Sequence, residues 1–112
     1  MEITLTFDES QKTKDSNGSM VFLFDFSAAL YHLRQGKRVA RENWNGRGIF
    51  LELQNPDEYS KMTHPYIFID TTGLNSENPE APRVRVPWVA SQTDLLSKDW
   101  LMYGPNDGDM DA

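Results

Sequence analysis

Two tryptophans, Trp44 and Trp88, stand beside polar residues of the kind that grip a nucleotide. Trp88 lies near the end of a short apolar run, Val84 to Val89, after which come Ser91, Gln92, Thr93 and Asp94. Ser91 and Asp94 have the spacing of a capping box, with Asp in the slot usually held by Glu or Gln. Ser91 can accept from a backbone N–H of the first helical turn, and Asp94 sits well against the positive helix end. Stacking surface beside free backbone donors is what a nucleotide needs. Trp44 follows the basic run from Lys37 to Arg41 and precedes Asn45, whose amide can read a base or ribose edge. These residue types also allow a purely structural reading. Trp88 would then be buried beside an ordinary helix cap, Trp44 would close the sheet core, and Asn45 would only make a turn.

Other chemistry is poorly represented. The two histidines, His32 and His64, have no nucleophile motif around them. With no cysteine in the chain, a zinc site would need these histidines with carboxylates, and no ligand spacing is present. Gly46-Arg47-Gly48 is too short for a phosphate-binding glycine loop, and Asp57-Glu58 reads as a solvated turn. No cofactor or metal is implied, and the balance favours a binding protein over an enzyme.

The chain has 112 residues, 38% hydrophobic and 25% charged, which suits one globular domain. Its net charge of −6 argues against nonspecific binding of DNA or RNA. Charge is unevenly spread, with five Lys or Arg against the single Glu42 between Arg34 and Arg47. Neither a membrane-spanning run nor a signal-peptide pattern is apparent, so a cytoplasmic location is expected.

The elements that must carry Trp44 and Trp88 can be read from periodicity. Phe26, Ala29, Leu30 and Leu33 line one face of a helix, with Asp25 as its cap and Gly36 at its end. His32 falls on the other face and is expected at the surface. Strands are expected at Ile3 to Phe7, from Val39, at Ile49 to Leu53, Pro65 to Asp70, Val84 to Val89 and from Trp100. Met20 to Phe24 is apolar but undecided between helix and strand, and Asn45-Gly46 signals a hairpin. Residues 8–19 read as a polar loop. Leu95 and Leu96 give a second, short helix its apolar side. Thr71 to Arg83 reads as a polar connection, partly disordered, and the acidic tail after Tyr103 as mobile. The fold class expected is α+β: a small antiparallel sheet of about five strands with one main and one short helix, in a single domain.

Three blocks carry a resemblance. Phe26 to Leu51, Ser60 to Ile67 and Val86 to Trp100 resemble, in order and spacing, the family that includes the second type of phage Thoeris anti-defence protein. Trp44-Asn45-Gly46 and the Pro87-Trp88 to Asp94 block together make the match specific. It implies a core domain over residues 26–104, with 1–25 an N-terminal extension and 105–112 an acidic flexible tail. It also implies a sponge that sequesters a cyclic ADP-ribose isomer (glycocyclic ADP-ribose) without cleaving it, with CBASS cyclic dinucleotides as further ligands. Homotetramers, as dimers of dimers with pockets between subunits, are implied, in the cytoplasm of the infected bacterial host. On this resemblance Trp44, Asn45, Trp88, Arg41, Ser91, Gln92, Thr93 and Asp94 form the ligand site. The indoles would stack on adenine, Arg41 or Arg38 would neutralise phosphate, and Asp94 would serve ribose or the helix cap. An enzyme that degrades the same signal and a phage accessory protein with a Trp-rich interface are the alternatives. Residues 73–83 are longer than the tight turn common in the family.

Overall fold

In the computed structural model, residues 12–14, 20–44 and 48–104 are described. Helix α1 (Phe26–Arg34) forms where the apolar spacing places it. The Asp25 side chain accepts the Ala28 N–H at 3.1 Å, and Gly36 follows the last turn with φ 84°. Ala29 and Leu33 are fully buried, and Phe26 and Leu30 pack on the same cluster. His32 departs from its expected surface position. Its ring lies 5.1 Å from Phe24 and 5.7 Å from Tyr31, and burial, with Lys37 nearby, lowers its pKa.

The helix packs on an antiparallel sheet of β3 (Val39–Arg41), β4 (Phe50–Gln54), β5 (Tyr66–Asp70), β6 (Arg85–Pro87) and β7 (Trp100–Met102). Their order across the sheet is β6-β5-β4-β3-β7. Register fixes the two faces, because partners directly across a ladder share one side. Val39 opposite Leu51, Leu51 opposite Ile69 and Leu53 opposite Ile67 put the aliphatic residues under α1. Phe50 and Asp70, Glu52 and Phe68, and Gln54 and Tyr66 share the other face. There Tyr103 stacks on Phe50 at 4.8 Å, while Arg38 lies 4.5 Å over the same ring and pairs with Glu52 at 3.2 Å.

Both edges of the sheet are modified. Phe68 and Pro87 are partners, and the Trp88 N–H donates to the Ile67 carbonyl at 3.0 Å. That pattern makes them a non-hydrogen-bonded pair, so the backbone nitrogen of Pro87 faces away from the sheet and has no proton to offer. At the opposite edge Phe24 exchanges two backbone hydrogen bonds with Trp100, at 2.8 and 3.0 Å.

The α+β class is the architecture found, with α2 (Gln92–Leu96) as the second helix. Several local expectations change. The apolar run at Met20 resolves as strand β2 (Met20–Phe22), paired with β1 (Lys12–Lys14) inside the stretch expected to be loop. Backbone pairing built that ladder where no apolar alternation announced it. The 71–83 connection, expected to be partly disordered, is braced from within. The Arg83 guanidinium donates to the carbonyls of Leu74, Ala81 and Ser76 at 3.3, 3.3 and 3.1 Å. The expected strand at Ile3 to Phe7, the Asn45-Gly46 hairpin and the tail from 105 onward lie outside the described residues. No helix among the described residues is long and apolar enough to cross a membrane.

Candidate functional site

Arg41 ends β3 with its side chain on the helical side of the sheet, among carboxylates. Its Nε donates to Asp99 Oδ1 at 2.8 Å and its Nη1 to Asp94 Oδ1 at 2.9 Å. The Arg41 side chain is only 9% exposed, so the two ion pairs form in a partly dehydrated setting. The hydrogen bond to Asp99 raises the Arg41 pKa against the opposing effect of burial, and Asp94 adds to the rise. Asp99 does more than pair. Its Oδ2 accepts the Asn43 N–H at 3.0 Å and its carbonyl the Glu42 N–H at 2.9 Å, which fixes the chain just before Trp44.

Asp94 joins this network to helix α2. The Ser91 side chain accepts the Asp94 N–H at 3.0 Å, and Asp94 Oδ2 accepts the Ser91 N–H at 3.2 Å. The capping box read from the sequence is therefore formed, and capping is the role the structure gives Asp94. Burial pushes the Asp94 carboxyl up, but hydrogen bonds from Arg41, Ser91 and Trp44 outweigh it and hold the pKa below the usual carboxylate value. Gln92 and Thr93, at the start of the helix, are exposed.

The tryptophans meet on a third one. Trp100 is fully buried, and its indole N–H donates to the Asp94 carbonyl at 2.9 Å. Trp44 sits edge-on to Trp100 at 5.5 Å, and Trp88 does so at 6.0 Å while lying 5.7 Å from Phe26. Both outer indoles are half-buried, so each keeps some surface open. Edge-on pairs of this kind fix ring orientation as well as burying area.

The structure thus gathers Arg41, Trp44, Trp88, Ser91 and Asp94 around Trp100, with Gln92 and Thr93 on the adjoining turn. Asn45 lies outside the described residues. Arg38 is elsewhere, on the opposite face of the sheet with Glu52 and Phe50. The sequence reading missed Asp99 and the central place of Trp100. The one available signal was their adjacency, an acid directly before a tryptophan at the start of a strand. Leu95 and Leu96 were expected to give α2 its apolar side, yet α2 has no fully buried residue, and Leu96 is 77% exposed. The helix is held through Asp94, so its leucines are free to face outward.

This cluster lies inside a known domain. The model of the Tad2-like family, the Thoeris anti-defense 2-like domain, matches residues 24–103. The chain belongs to that family. The Thoeris anti-defense 2 protein of Bacillus phage SP01 is 35% identical over 79 residues, covering 67% of this chain and 89% of the relative. The Tad2-like match begins at Phe24, whose backbone pairs with Trp100, and ends at Tyr103, which stacks on Phe50. It therefore takes in the whole aromatic and carboxylate cluster.

Proposed function

We propose that this Tad2-like chain is a phage sponge that counters Thoeris immunity by sequestering a cyclic ADP-ribose isomer, glycocyclic ADP-ribose, without cleaving it. The observation that carries the reading is the Trp44–Trp100–Trp88 cluster tied to Asp94, lying wholly within the matched residues. Two half-open indoles held at fixed angles suit a purine base. Gln92 and Thr93 supply polar contacts beside them, and Asn45 keeps the role the sequence suggests. Arg41 holds Asp94 and Asp99 in place, and a ligand phosphate that reaches it competes with both carboxylates. Cyclic dinucleotides of CBASS are a second ligand class for the same chain.

The site is completed by further copies of the chain, as a dimer of dimers. Val86, Val89, Leu95 and Leu96 are all exposed around Trp88 and α2, and they support a covered face there. The sponge works in the cytoplasm of the infected host. Light scattering at micromolar concentration checks the assembly, and a stable monomer contradicts it.

One experiment tests the function. The protein is incubated with glycocyclic ADP-ribose, freed of unbound ligand, heat-denatured, and the supernatant is analysed. Release of intact nucleotide is the expected result. Altered nucleotide means an enzyme, and no nucleotide means that the tryptophans serve an interface.

A further inference from the structure

Gly48 and Gly73 meet backbone to backbone. Gly48 has φ +89°, and a Cβ added to it would lie 2.0 Å from the Gly73 carbonyl oxygen and 2.5 Å from its carbonyl carbon. No side chain fits there unless the backbone shifts. The reverse is not true: a Cβ on Gly73 would meet only the Gly48 oxygen, at 3.7 Å, an ordinary contact. Gly36 supplies the comparison, with φ +84° and nothing within 4 Å of an added Cβ. Gly36 is required by its backbone angle alone. Gly48 is required by its angle and by what stands against it.

What stands against it is held firmly. The Leu74 N–H closes a turn on the Thr71 carbonyl at 3.0 Å, with Gly73 inside the turn. Asp70, at the end of β5, accepts from the Thr72 N–H at 2.9 Å and from its hydroxyl at 2.7 Å. Thr71 Oγ1 accepts the Val84 N–H at 2.8 Å, and Arg83 gathers its three carbonyls across the rest of the connection. The far end of the β3–β4 connection is anchored separately, where Asp99 takes the Asn43 N–H and Trp44 donates to the Arg41 carbonyl at 3.2 Å. The chain leaves from one anchor through Trp44 and returns to the other at Gly48.

We propose that the 71–83 connection is a positioning element of the site: through the Gly48–Gly73 contact it sets the place of Trp44, and with it which nucleotide the site accepts. The positioning stands on the backbone geometry, whereas the choice of nucleotide rests on the sponge reading above. A Gly48 methyl can be relieved only by a shift of backbone at Gly48 or Gly73, and Gly48 lies four residues after Trp44 in the chain. A longer or shorter connection, or one braced differently, presents Gly73 elsewhere against Gly48.

The test uses full-length protein labelled with 5-fluorotryptophan, with the Trp44 fluorine resonance assigned through Trp44→Phe. Gly48→Ala and Arg83→Ala are expected to move or broaden that resonance. Gly36→Ala, with the same backbone strain and no contact, and Gly73→Ala, which has room, are expected to leave it in place. In parallel, the affinity ratio for glycocyclic ADP-ribose over cyclic di-GMP is expected to change about tenfold in Gly48→Ala and to hold in Gly36→Ala. A Trp44 resonance in Gly48→Ala and Arg83→Ala matching that of Gly36→Ala overturns the positioning. If Gly48→Ala does not fold, Arg83→Ala decides, since it leaves both glycines untouched. A moved resonance with an unchanged affinity ratio overturns the link to ligand choice. A moved resonance in the variants, together with a wild-type protein that retains neither nucleotide, keeps the positioning and removes the sponge reading.

Discussion

The two helices of this chain are held by opposite kinds of force. Helix α1 buries Ala29 and Leu33 completely against Val39, Leu51 and Trp100. Helix α2 has no fully buried residue and is fixed through Asp94, by the Arg41 guanidinium at 2.9 Å and the Trp100 indole at 2.9 Å. Apolar burial is nondirectional, so α1 has some freedom to adjust while keeping its stabilisation. A charge-assisted hydrogen bond has a required distance and angle, so α2 has little freedom while that bond is made. Stability is concentrated on the α1 side and geometric definition on the α2 side, where the candidate site lies.

The strongest challenge to that division is Trp100→Ala, because Trp100 belongs to both sides. Loss of a fully buried tryptophan is expected to cost about 3–5 kcal/mol and to free α2 at the same time. Urea unfolding checks the first effect, and amide exchange over residues 91–96 checks the second. The next two substitutions sharpen the contrast. Leu33→Ala is expected to cost about 2–5 kcal/mol of stability while leaving nucleotide affinity near wild type. Arg41→Ala is expected to cost about 2–3 kcal/mol, less than for a fully buried pair because the carboxylates are partly exposed, and to abolish binding. Equal affinity loss in both variants would erase the distinction.

Trp44→Ala is expected to act mainly on the proposed ligand. Loss of one stacking surface of about 1–3 kcal/mol is expected to weaken binding five- to more than a hundredfold, with a smaller melting shift than Trp100→Ala. Titration and thermal melting of the same variant separate the two. The smallest effect is on acid stability. Asp94 has its pKa lowered in the folded chain, so the unfolded chain takes up the proton first. Its contribution is whole above the ordinary carboxylate range and is lost as pH falls through the folded value. The stability gap between wild type and Asp94→Asn should be flat near neutrality and narrow below about pH 4.

How much of this was legible in the sequence follows the same division. Phe26, Ala29, Leu30 and Leu33 announce α1 by spacing, and Asp25, Gly36, Ser91 and Asp94 announce helix ends because capping is local. Arg41 and Asp99 are 58 residues apart, and no periodicity links them. Trp100 looked like the start of a strand, and only the folded chain brings Trp44 and Trp88 onto it. The bracing of 71–83 was hidden for another reason. Arg83 donates to backbone carbonyls, which every residue carries, so the acceptors leave no mark in the sequence. The Gly48–Gly73 contact is similarly silent, since a glycine needed for space reads the same as one needed for a turn.

The edges of the sheet bear on a different matter, how much of this chain can be held at once. A sponge, as proposed above for this chain, works by stoichiometry and has to accumulate until its copies rival the signal in number. Crowded β-sheets with open edges recruit one another strand by strand, and the end of that process is fibre. Pro87 withholds an amide proton from one flank, and the Phe24 backbone already occupies Trp100 on the other. Pro87→Val restores a donor to the first flank, and is expected to raise turbidity in concentrated solution while leaving the dilute protein unchanged. Under the proposed function the proline raises the ceiling on dose, toward the quantity that titration of a signal demands.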